Sequence, residues 1–485
     1  MSEVIIIGGG VSGLSAGIHA LKNGMKATVI EKWIYAGGNL TGWTRQDVPI
    51  DLCIHWLTGT NKNTNMYKMW ETLGALNDDV EILKPDTLFT VEHKGQRLSL
   101  YRSLDKTVSE MLKISPSDKK NILSFKKACE AMEGFLGIYG PDHNSKFKGT
   151  DFVPYLPSLL KYFSHSTGEI AGSFKHPLLK LFINSLMGTE FNAIDFAFVA
   201  ATFVGEDADL PKGLSKPMAE RMTSRFLELG GKLISGKEVV KLNRQGTHAV
   251  SVTLKTGEEL TADDFIATID PYVFFSKLTD VSMPKALKKQ YDSKHYLYFS
   301  SYHLEYDLSL PAVDFEENLF LSVPDDLRDT IANRRIMIRT YTKAKEMSPE
   351  GHTNLQVMVY CLENEINNWI NLYESDREAY KSLKSEKEKA ISELLIRRFP
   401  EFKDKLKLVD MWTPASFKRF TSAHMGTYQG FINPKWKAPK RISPNIKGLD
   451  NVYLGSQWLM SPGGLPVAAL TGMSAANAIK DKYNS

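Results

Sequence analysis

Residues 1–40 read MSEVIIIGGGVSGLSAGIHALKNGMKATVIEKWIYAGGNL, and they carry the pattern from which the fold class is predicted. It predicts a β-branched strand, a glycine turn, a helix and a second apolar strand that ends on an acid. The first strand is 4–7, and the turn glycines are Gly8, Gly10 and Gly13. The helix is 14–23, and the second strand, 27–30, ends on Glu31. The glycines have the spacing G-x-G-x-x-G, so the stretch predicts a dinucleotide-binding βαβ unit.

Each part of this unit has a physical role. Gly8 allows a tight turn out of the strand, and Gly10 has no side chain to keep the backbone away from a pyrophosphate. Gly13 lets the helix pack close to the strand, and the helix N-terminus offers free N–H groups to phosphates. The Glu31 carboxylate can accept hydrogen bonds from ribose hydroxyls and would repel a 2′-phosphate.

The composition is that of a globular protein. The length of 485 residues indicates about two or three domains, and the net charge of +4 does not indicate nucleic-acid binding. No apolar run approaches the ~20 residues of a spanning helix, and we expect no signal peptide. Cys53, Cys129 and Cys361 have no disulfide or metal spacing, so we expect a cytoplasmic protein without a metal site.

A glycine pair, Gly37 and Gly38, follows Glu31 closely. With Gly17 and Gly24, it resembles the flavin-dependent amine oxidase and phytoene desaturase superfamily, in which the pair passes close to the flavin pyrophosphate. The resemblance implies FAD as the cofactor. Asn39 stands where that family often has arginine.

The segment 48–59 resembles the part of the same family that lies beside the flavin. Asp51 matches the family's aspartate, and Cys53, which we expect to be a small buried residue, replaces its usual glycine. By this resemblance, His55 and Trp56 lie near the isoalloxazine ring. His55 is then a candidate catalytic or flavin-tuning residue, with a hydrogen-bonded structural histidine as the alternative.

Two later segments complete the resemblance. In the middle one, Val239 matches a strand residue that lends its backbone to the adenine. In the last one, a strand ends on Gly455, and Gly463 and Gly464 open a helix whose N-terminus points at the flavin. A helix dipole there stabilises the negative charge of a reduced flavin. Leu465 replaces the family's third glycine.

These motifs predict an α/β fold with two domains. A Rossmann-like FAD-binding domain is assembled from the discontinuous segments 1–80, 210–283 and 409–485, and a mixed α+β substrate domain comprises 81–209 and 284–408. The expected FAD-binding residues are Gly8, Gly10, Ser12, Gly13, Glu31, Lys32, Gly37, Gly38, Asn39, His55, Trp56, Val239, Gly455, Gly463, Gly464, Leu465 and Pro466.

The resemblance implies an FAD-dependent oxidoreductase that desaturates or saturates carbon–carbon bonds of a lipophilic, polyene or isoprenoid substrate. The direction is open, and the alternatives are a redox-neutral double-bond isomerase using reduced FAD, a flavin amine oxidase and a non-catalytic carrier. Large apolar residues are dense in 152–203, which favours a core and also fits a lipophilic channel. No second G-x-G-x-x-G unit is evident, so the electron donor or acceptor is unknown.

A basic loop near the carboxyl terminus raises the question of a membrane contact. It contains Trp436 and the cations Lys435, Lys437, Lys440, Arg441 and Lys447. The simpler interpretation is a solvated loop, and the alternative is a peripheral contact with anionic lipid at the inner face of the membrane.

Overall fold

Two large sheets organise the chain in the computed structural model, which describes residues 2–138, 153–291, 296–311, 315–432 and 442–484. The basic loop predicted as a candidate membrane contact lies outside the described residues, apart from Lys447. Within the described ranges, every helix is too short or too polar to cross a bilayer.

The first sheet has six strands and carries the glycine turn. Its strands, in spatial order, are Lys232–Ile234, Lys26–Ile30, Glu3–Ile7, Asp264–Ala267, Leu449–Leu454 and Asn445–Ile446. The first five run parallel, and the last is antiparallel to its neighbour. The parallel strands are contributed by three separate parts of the chain, which confirms the predicted Rossmann-like fold built from discontinuous segments.

Both faces of this sheet are covered, as a parallel sheet requires. Val4 and Ile6 face a cluster shared with the helices Val11–Lys22, Ser215–Glu228 and Leu465–Asn484. On the opposite face, Ile5 and Ile7 pack against a three-stranded antiparallel sheet. Its strands are Val239–Gln245, His248–Leu254 and Glu259–Thr261.

The second large sheet has seven strands and forms the centre of the substrate domain. In spatial order they are Leu406–Trp412, Ser300–Leu308, Thr353–Cys361, Arg335–Arg339, Asn318–Ser322, Thr87–His93 and Gln96–Tyr101. All pairs are antiparallel except that of Asn318–Ser322 with Thr87–His93.

Helices cover the two faces of the seven-stranded sheet. One group shares a cluster rich in phenylalanine and comprises Leu104–Ile114, Lys119–Ile138, Leu156–Ser164, Thr167–Gly172, Pro177–Ser185 and Ala193–Val204. The other group comprises Asp325–Ile331, Glu363–Ser375, Arg377–Arg398 and Pro414–Thr421.

Smaller elements connect the two large sheets. The short strands are Gly42–Arg45, Val48–Asp51, Leu57–Thr58, Ile82–Leu83, Ala208–Pro211, Leu297–Tyr298 and Phe431–Ile432. The short helices and helical turns are Asn65–Thr72, Pro116–Asp118, Pro271–Val273, Phe274–Leu278, Lys285–Lys288, Lys289–Tyr291, Lys345–Met347, Pro400–Phe402, His424–Gly426 and Gln457–Leu459. The predicted boundary between 408 and 409 falls inside Leu406–Trp412, and the domain limits stay a prediction.

Candidate functional site

A cavity of about 820 Å³ runs from the glycine turn of the first sheet to the inner face of the second. Its lining includes these residues predicted to bind FAD: Gly8, Gly10, Ser12, Glu31, Lys32, Gly37, Gly38, Asn39, His55, Trp56, Val239, Gly463, Gly464, Leu465 and Pro466. Segments separated by more than four hundred residues therefore meet at one site. The part that each residue plays in binding FAD stays a prediction.

Two predicted residues, Gly13 and Gly455, do not line the cavity, and packing explains both. A Cβ on Gly13 would stand 1.9 Å from the carbonyl oxygen of Gly8, so only glycine lets the helix lie against the turn. Gly455 faces Gly472 and Ala475 of the last helix. Both glycines thus serve close helix–strand packing, and their contact with FAD stays a prediction.

The first and last helices both begin at the cavity, because residues at the start of each helix line it. A Cβ on Gly472 would stand 2.1 Å from the carbonyl oxygen of Ser12, so the first and last helices are in backbone contact. The Ser12 hydroxyl donates to the carbonyl of Gly455. The first helix has Gly10 as its N-cap, without a side-chain cap. Its first N–H groups and the positive end of its dipole are thus directed at the cavity.

Glu31 holds the glycine turn in shape and also lines the cavity. Its carboxylate accepts hydrogen bonds from the backbone N–H groups of Gly9 at 2.7 Å and Trp33 at 3.0 Å. A carboxylate has about four acceptor positions, so two N–H donors leave capacity for ribose hydroxyls. The donor set of helix N–H groups beside a buried carboxylate fits the phosphate and ribose groups of a dinucleotide.

Asn39 and Lys32 have partners on the opposite wall of the cavity. The Asn39 amide donates to the carbonyl of Tyr428 at 3.0 Å, while its Oδ1 is buried without a hydrogen-bond partner among the described residues. Lys32 donates to the hydroxyl of Ser422 at 2.7 Å, and burial lowers its pKa. Asn39 therefore retains one polar atom for a bound group.

The segment that contains His55 is held by a buried ion pair. Arg339 contacts Asp51 at 3.2 Å and donates to the carbonyl of Ile54 at 2.6 Å. The carboxylate of Asp51 also accepts from the backbone N–H groups of Ile54 and Ser215. These bonds fix the backbone immediately before His55 and thereby help to position its imidazole.

His55 faces the cavity as a neutral imidazole. Burial, together with the charge of Arg339 and the neighbouring His303, lowers its pKa well below the usual value. Its Nδ1 is buried without a partner among the described residues, which favours a ligand-binding role over the structural alternative. Burial raises the pKa of the nearby Cys53 thiol to about 12, so Cys53 is protonated.

One face of the seven-stranded sheet forms the floor of the cavity. Cross-strand pairing places Met337 beside Met358, and Met358 beside His303, and all three line the cavity. Leu186, Met187, Phe191, Phe198, Val199, Phe299 and Tyr360 add to the walls. We call this apolar part of the cavity the chamber.

Asp195 was missed by the sequence analysis. It lines the chamber, and its carboxylate has no hydrogen-bond partner among the described residues. Burial raises its pKa to about 7, so it can exchange a proton near neutral pH. The available signal was a lone charge within the apolar run AIDFAFVAATFV of the helix Ala193–Val204.

Comparisons with known proteins place this site in context. The chain matches the family described as flavin containing amine oxidoreductase over residues 11–480. It is 23% identical to prolycopene isomerase 1 of an Oncidium hybrid cultivar, covering 98% of this chain and 83% of the relative. It is 24% identical to the 1-hydroxycarotenoid 3,4-desaturase of a Flavobacterium species, covering 99% of both.

A solved structure agrees in fold. An oxidoreductase from Methanosarcina mazei superimposes with a TM-score of 0.64 and 14% identity, covering 98% of this chain and 99% of that one. At this identity the likeness concerns the fold alone, and it confirms the predicted fold class.

Proposed function

Because the chain belongs to the flavin-containing amine oxidoreductase family, we propose that it acts on a carbon–carbon bond of a lipophilic polyene. The chain is an FAD-dependent oxidoreductase, as the sequence predicted. FAD fits the donor set at the dinucleotide end of the cavity, where the start of the first helix, Glu31 and the glycine turns all line the cavity. The family match confirms the prediction of an enzyme over the non-catalytic carrier.

The observation that carries the substrate proposal is the chamber. Its floor of Met337 and Met358 and its phenylalanine walls continue directly from the residues predicted to surround the flavin. Methionine and aromatic side chains bind apolar chains through area burial and adapt to their shape. The two curated relatives have carotenoid substrates in their names, which supports the same class here.

The chain's own residues would orient the polyene and handle the proton. Bound FAD supplies the two-electron redox chemistry. The chamber excludes water from the reacting bond, and Asp195 is placed to accept a proton during desaturation or to donate one during saturation. The neutral imidazole of His55 can offer a hydrogen bond at the end of the chamber nearest Asp51.

Filling the chamber tests this proposal. Met358→Phe should reduce polyene binding at least tenfold by occupying chamber volume, while the FAD content of the purified protein stays unchanged. Met411→Phe is the matched control, because Met411 is buried in the same sheet but does not line the cavity. Unchanged polyene binding in Met358→Phe, measured by quenching of tryptophan fluorescence, would contradict the proposal.

A second candidate is a redox-neutral double-bond isomerase. The similarity to prolycopene isomerase 1 over nearly the whole chain favours it. An isomerase would change the geometry of the polyene only when FAD is reduced, without a change in mass. Chromatography of the product under reducing and oxidising conditions separates the two functions. The electron partner and a peripheral contact with anionic lipid stay predictions.

A further inference from the structure

A second cavity, of about 1210 Å³, lies on the far side of the chamber wall. Phe191, Phe299 and Tyr360 line both cavities. Phe299 contacts Phe191 edge-to-face at 5.2 Å and Tyr360 at 4.8 Å between ring centroids. This packed aromatic layer closes the chamber from the second cavity. The exposed residues Lys94 and Lys180 line the second cavity, so a ligand reaches it from solvent.

Positive charge predominates in the lining of the second cavity, which contains seven lysine and arginine residues and four carboxylates. Three of the cations form ion pairs with acids, and the pairs are Arg328–Asp325, Arg397–Asp326 and Arg398–Glu92. The other four cations form no ion pair with a described residue, and they are Lys94, Lys180, Arg334 and Arg335.

The remaining carboxylates of the lining do not neutralise these four cations. Glu190 accepts a hydrogen bond from the hydroxyl of Thr189, and Glu365 accepts one from the backbone N–H of Leu362. Neither forms an ion pair with a described residue of the cavity. Four unpaired cations therefore share the cavity with two unpaired carboxylates, which leaves an excess of positive charge for an anion from solvent.

One turn brings two of the unpaired arginines to the cavity. The Oδ1 atom of Asn333 accepts hydrogen bonds from the backbone N–H groups of Arg334 at 2.8 Å and Arg335 at 3.3 Å. The Nδ2 atom of Asn333 donates to the carbonyl of Tyr360 at 2.9 Å. The turn is thus fixed against the aromatic wall, and both arginines line the same cavity.

Arg335 lacks a partner that its environment calls for. It is partly buried, and its Nε is buried without a hydrogen-bond partner among the described residues. Its guanidinium lies 5.6 Å from the ring centroid of Tyr360, a contact that offsets only part of the desolvation cost. Burial accordingly lowers the pKa of Arg335. A shielded cation without an anion is unfavourable, and a ligand with negative charge would remove that cost.

The rest of the lining is largely apolar, and the volume exceeds what a small anion needs. Pockets of about 300–1,000 Å³ hold organic molecules, so a phosphate ion alone would fill a small part of this cavity. The aliphatic lining residues are Leu181, Leu321, Val323, Leu362, Leu394 and Ile432. The ligand that matches both features has an anionic head and an apolar body.

We propose that the second cavity is a binding site for a free organic phosphate, a phosphate ester with an apolar body. Arg334 and Arg335 would bind the phosphate, because the planar guanidinium donates two parallel hydrogen bonds to phosphate oxygens. The aliphatic side chains would cover the body of the ester. This site is separate from the chamber and from the residues predicted to bind FAD, and it goes beyond the proposed function.

Titration calorimetry with n-octyl phosphate tests the site. The protein is loaded with FAD, so that the dinucleotide end of the first cavity is occupied. The wild type should bind n-octyl phosphate at least about tenfold more tightly than 1-octanol or inorganic phosphate, since each of these lacks one half of the recognised structure. Equal binding by 1-octanol or by inorganic phosphate, or no binding of n-octyl phosphate, would overturn the proposal.

Two variants assign the binding to the arginines. Arg334→Met and Arg335→Met should each weaken n-octyl phosphate binding about tenfold, because each removes charge-assisted hydrogen bonds to the phosphate. Arg335→Lys should keep part of the affinity, since the charge remains. Lys232→Met, at an exposed cation on the edge of the first sheet, is the control and should bind normally. Unchanged affinity in both arginine variants would overturn the proposal.

Two further measurements exclude the chamber and a structural role. Met358→Phe fills the chamber and should leave n-octyl phosphate binding unchanged; a loss would place the octyl chain in the chamber and overturn the proposal. Arg335→Met should not lower the melting temperature of the protein without n-octyl phosphate, because it removes a shielded charge. A lower melting temperature would identify Arg335 as a structural residue and would also overturn the proposal.

Sedimentation with vesicles distinguishes a free ester from a lipid headgroup. Phosphatidylcholine vesicles with added phosphatidic acid should retain the wild type and Arg335→Met equally, since a free ester needs no bilayer. Greater retention of the wild type would assign the site to a lipid headgroup and overturn the free ligand.

Discussion

The guanidinium of Arg339 lies 3.2 Å from the carboxylate of Asp51, and these side chains are only 1% and 2% exposed. The pair joins the floor of the substrate domain to the segment that precedes His55. Breaking a buried pair leaves one charge without its partner and costs about 3–5 kcal/mol. We expect Arg339→Met to lower the free energy of unfolding by that amount in urea titrations.

The double variant Asp51→Asn/Arg339→Met provides the control for this coupling. It leaves neither charge unpaired, so its loss of stability should be smaller than the sum of the two single losses. Additive losses would show that the two residues act independently. Arg397→Met, at an exposed ion pair, should cost no more than about 1 kcal/mol.

Glu31 should be required for tight FAD binding. Glu31→Ala removes charge-assisted hydrogen bonds to ribose, each contributing about 1.5–3 kcal/mol. Because Glu31 also binds the backbone of Gly9 and Trp33, Glu31→Gln is the milder variant, retaining one acceptor. The measurement is the dissociation constant of FAD by titration of the apoprotein. Glu3→Gln, at the start of the neighbouring parallel strand Glu3–Ile7, should bind FAD normally, and normal binding by Glu31→Ala would exclude Glu31 from the site.

His55 should tune the flavin through a hydrogen bond. Its pKa lies well below the usual value, so the imidazole stays neutral across physiological pH and is a weak proton donor. We expect His55→Ala to shift the flavin reduction potential and the turnover rate together. A rate loss of about 10²–10⁴-fold at an unchanged potential would instead assign proton transfer to His55. His19→Ala, in the first helix and away from the cavity, is the control.

Asp195 should place an inflection near pH 7 in kcat/KM, since burial raises its pKa to about 7 and kcat/KM reports the free enzyme. A rate that rises through the inflection means that the carboxylate accepts a proton, as in desaturation. A rate that falls means that the acid donates one, as in saturation. Asp195→Asn should remove the inflection, and its persistence in this variant would contradict the assignment.

The same pKa shift has a consequence for stability. The unfolded value is about 3.9, so between about pH 4 and 7 the folded chain holds a proton that the unfolded chain has lost. The contribution of Asp195 to the free energy of unfolding is therefore fully present below about pH 4. It decreases as the pH rises to 7, by up to about 1.4 kcal/mol per pH unit. Urea titrations of Asp195→Asn should show a flatter dependence than the wild type, and Asp325→Asn at the surface should not.

The sequence carries more information about the dinucleotide end of the site than about the substrate end. Residues 1–40 form a local βαβ unit that contains its own glycines and acid. The glycine pair Gly463 and Gly464 likewise directly precedes the last helix. The chamber depends on register between distant strands. Met337 and Met358 lie side by side on one face because their strands pair in a particular register. The residues of either strand alone do not reveal that register. Arg339 meets Asp51 across 288 positions, a contact that the spacing within either segment does not predict.

The proposed carbon–carbon chemistry is tested by following the flavin and a polyene together in two anaerobic mixtures. All-trans-retinoic acid is mixed with the protein carrying oxidised FAD, and separately with reduced FAD, while absorbance and product mass are recorded. The polyene should lose or gain two hydrogens in one of the two mixtures, one-to-one with the change in the flavin absorbance band. A polyene of unchanged mass in both mixtures, while a primary amine bleaches the oxidised flavin, would contradict it.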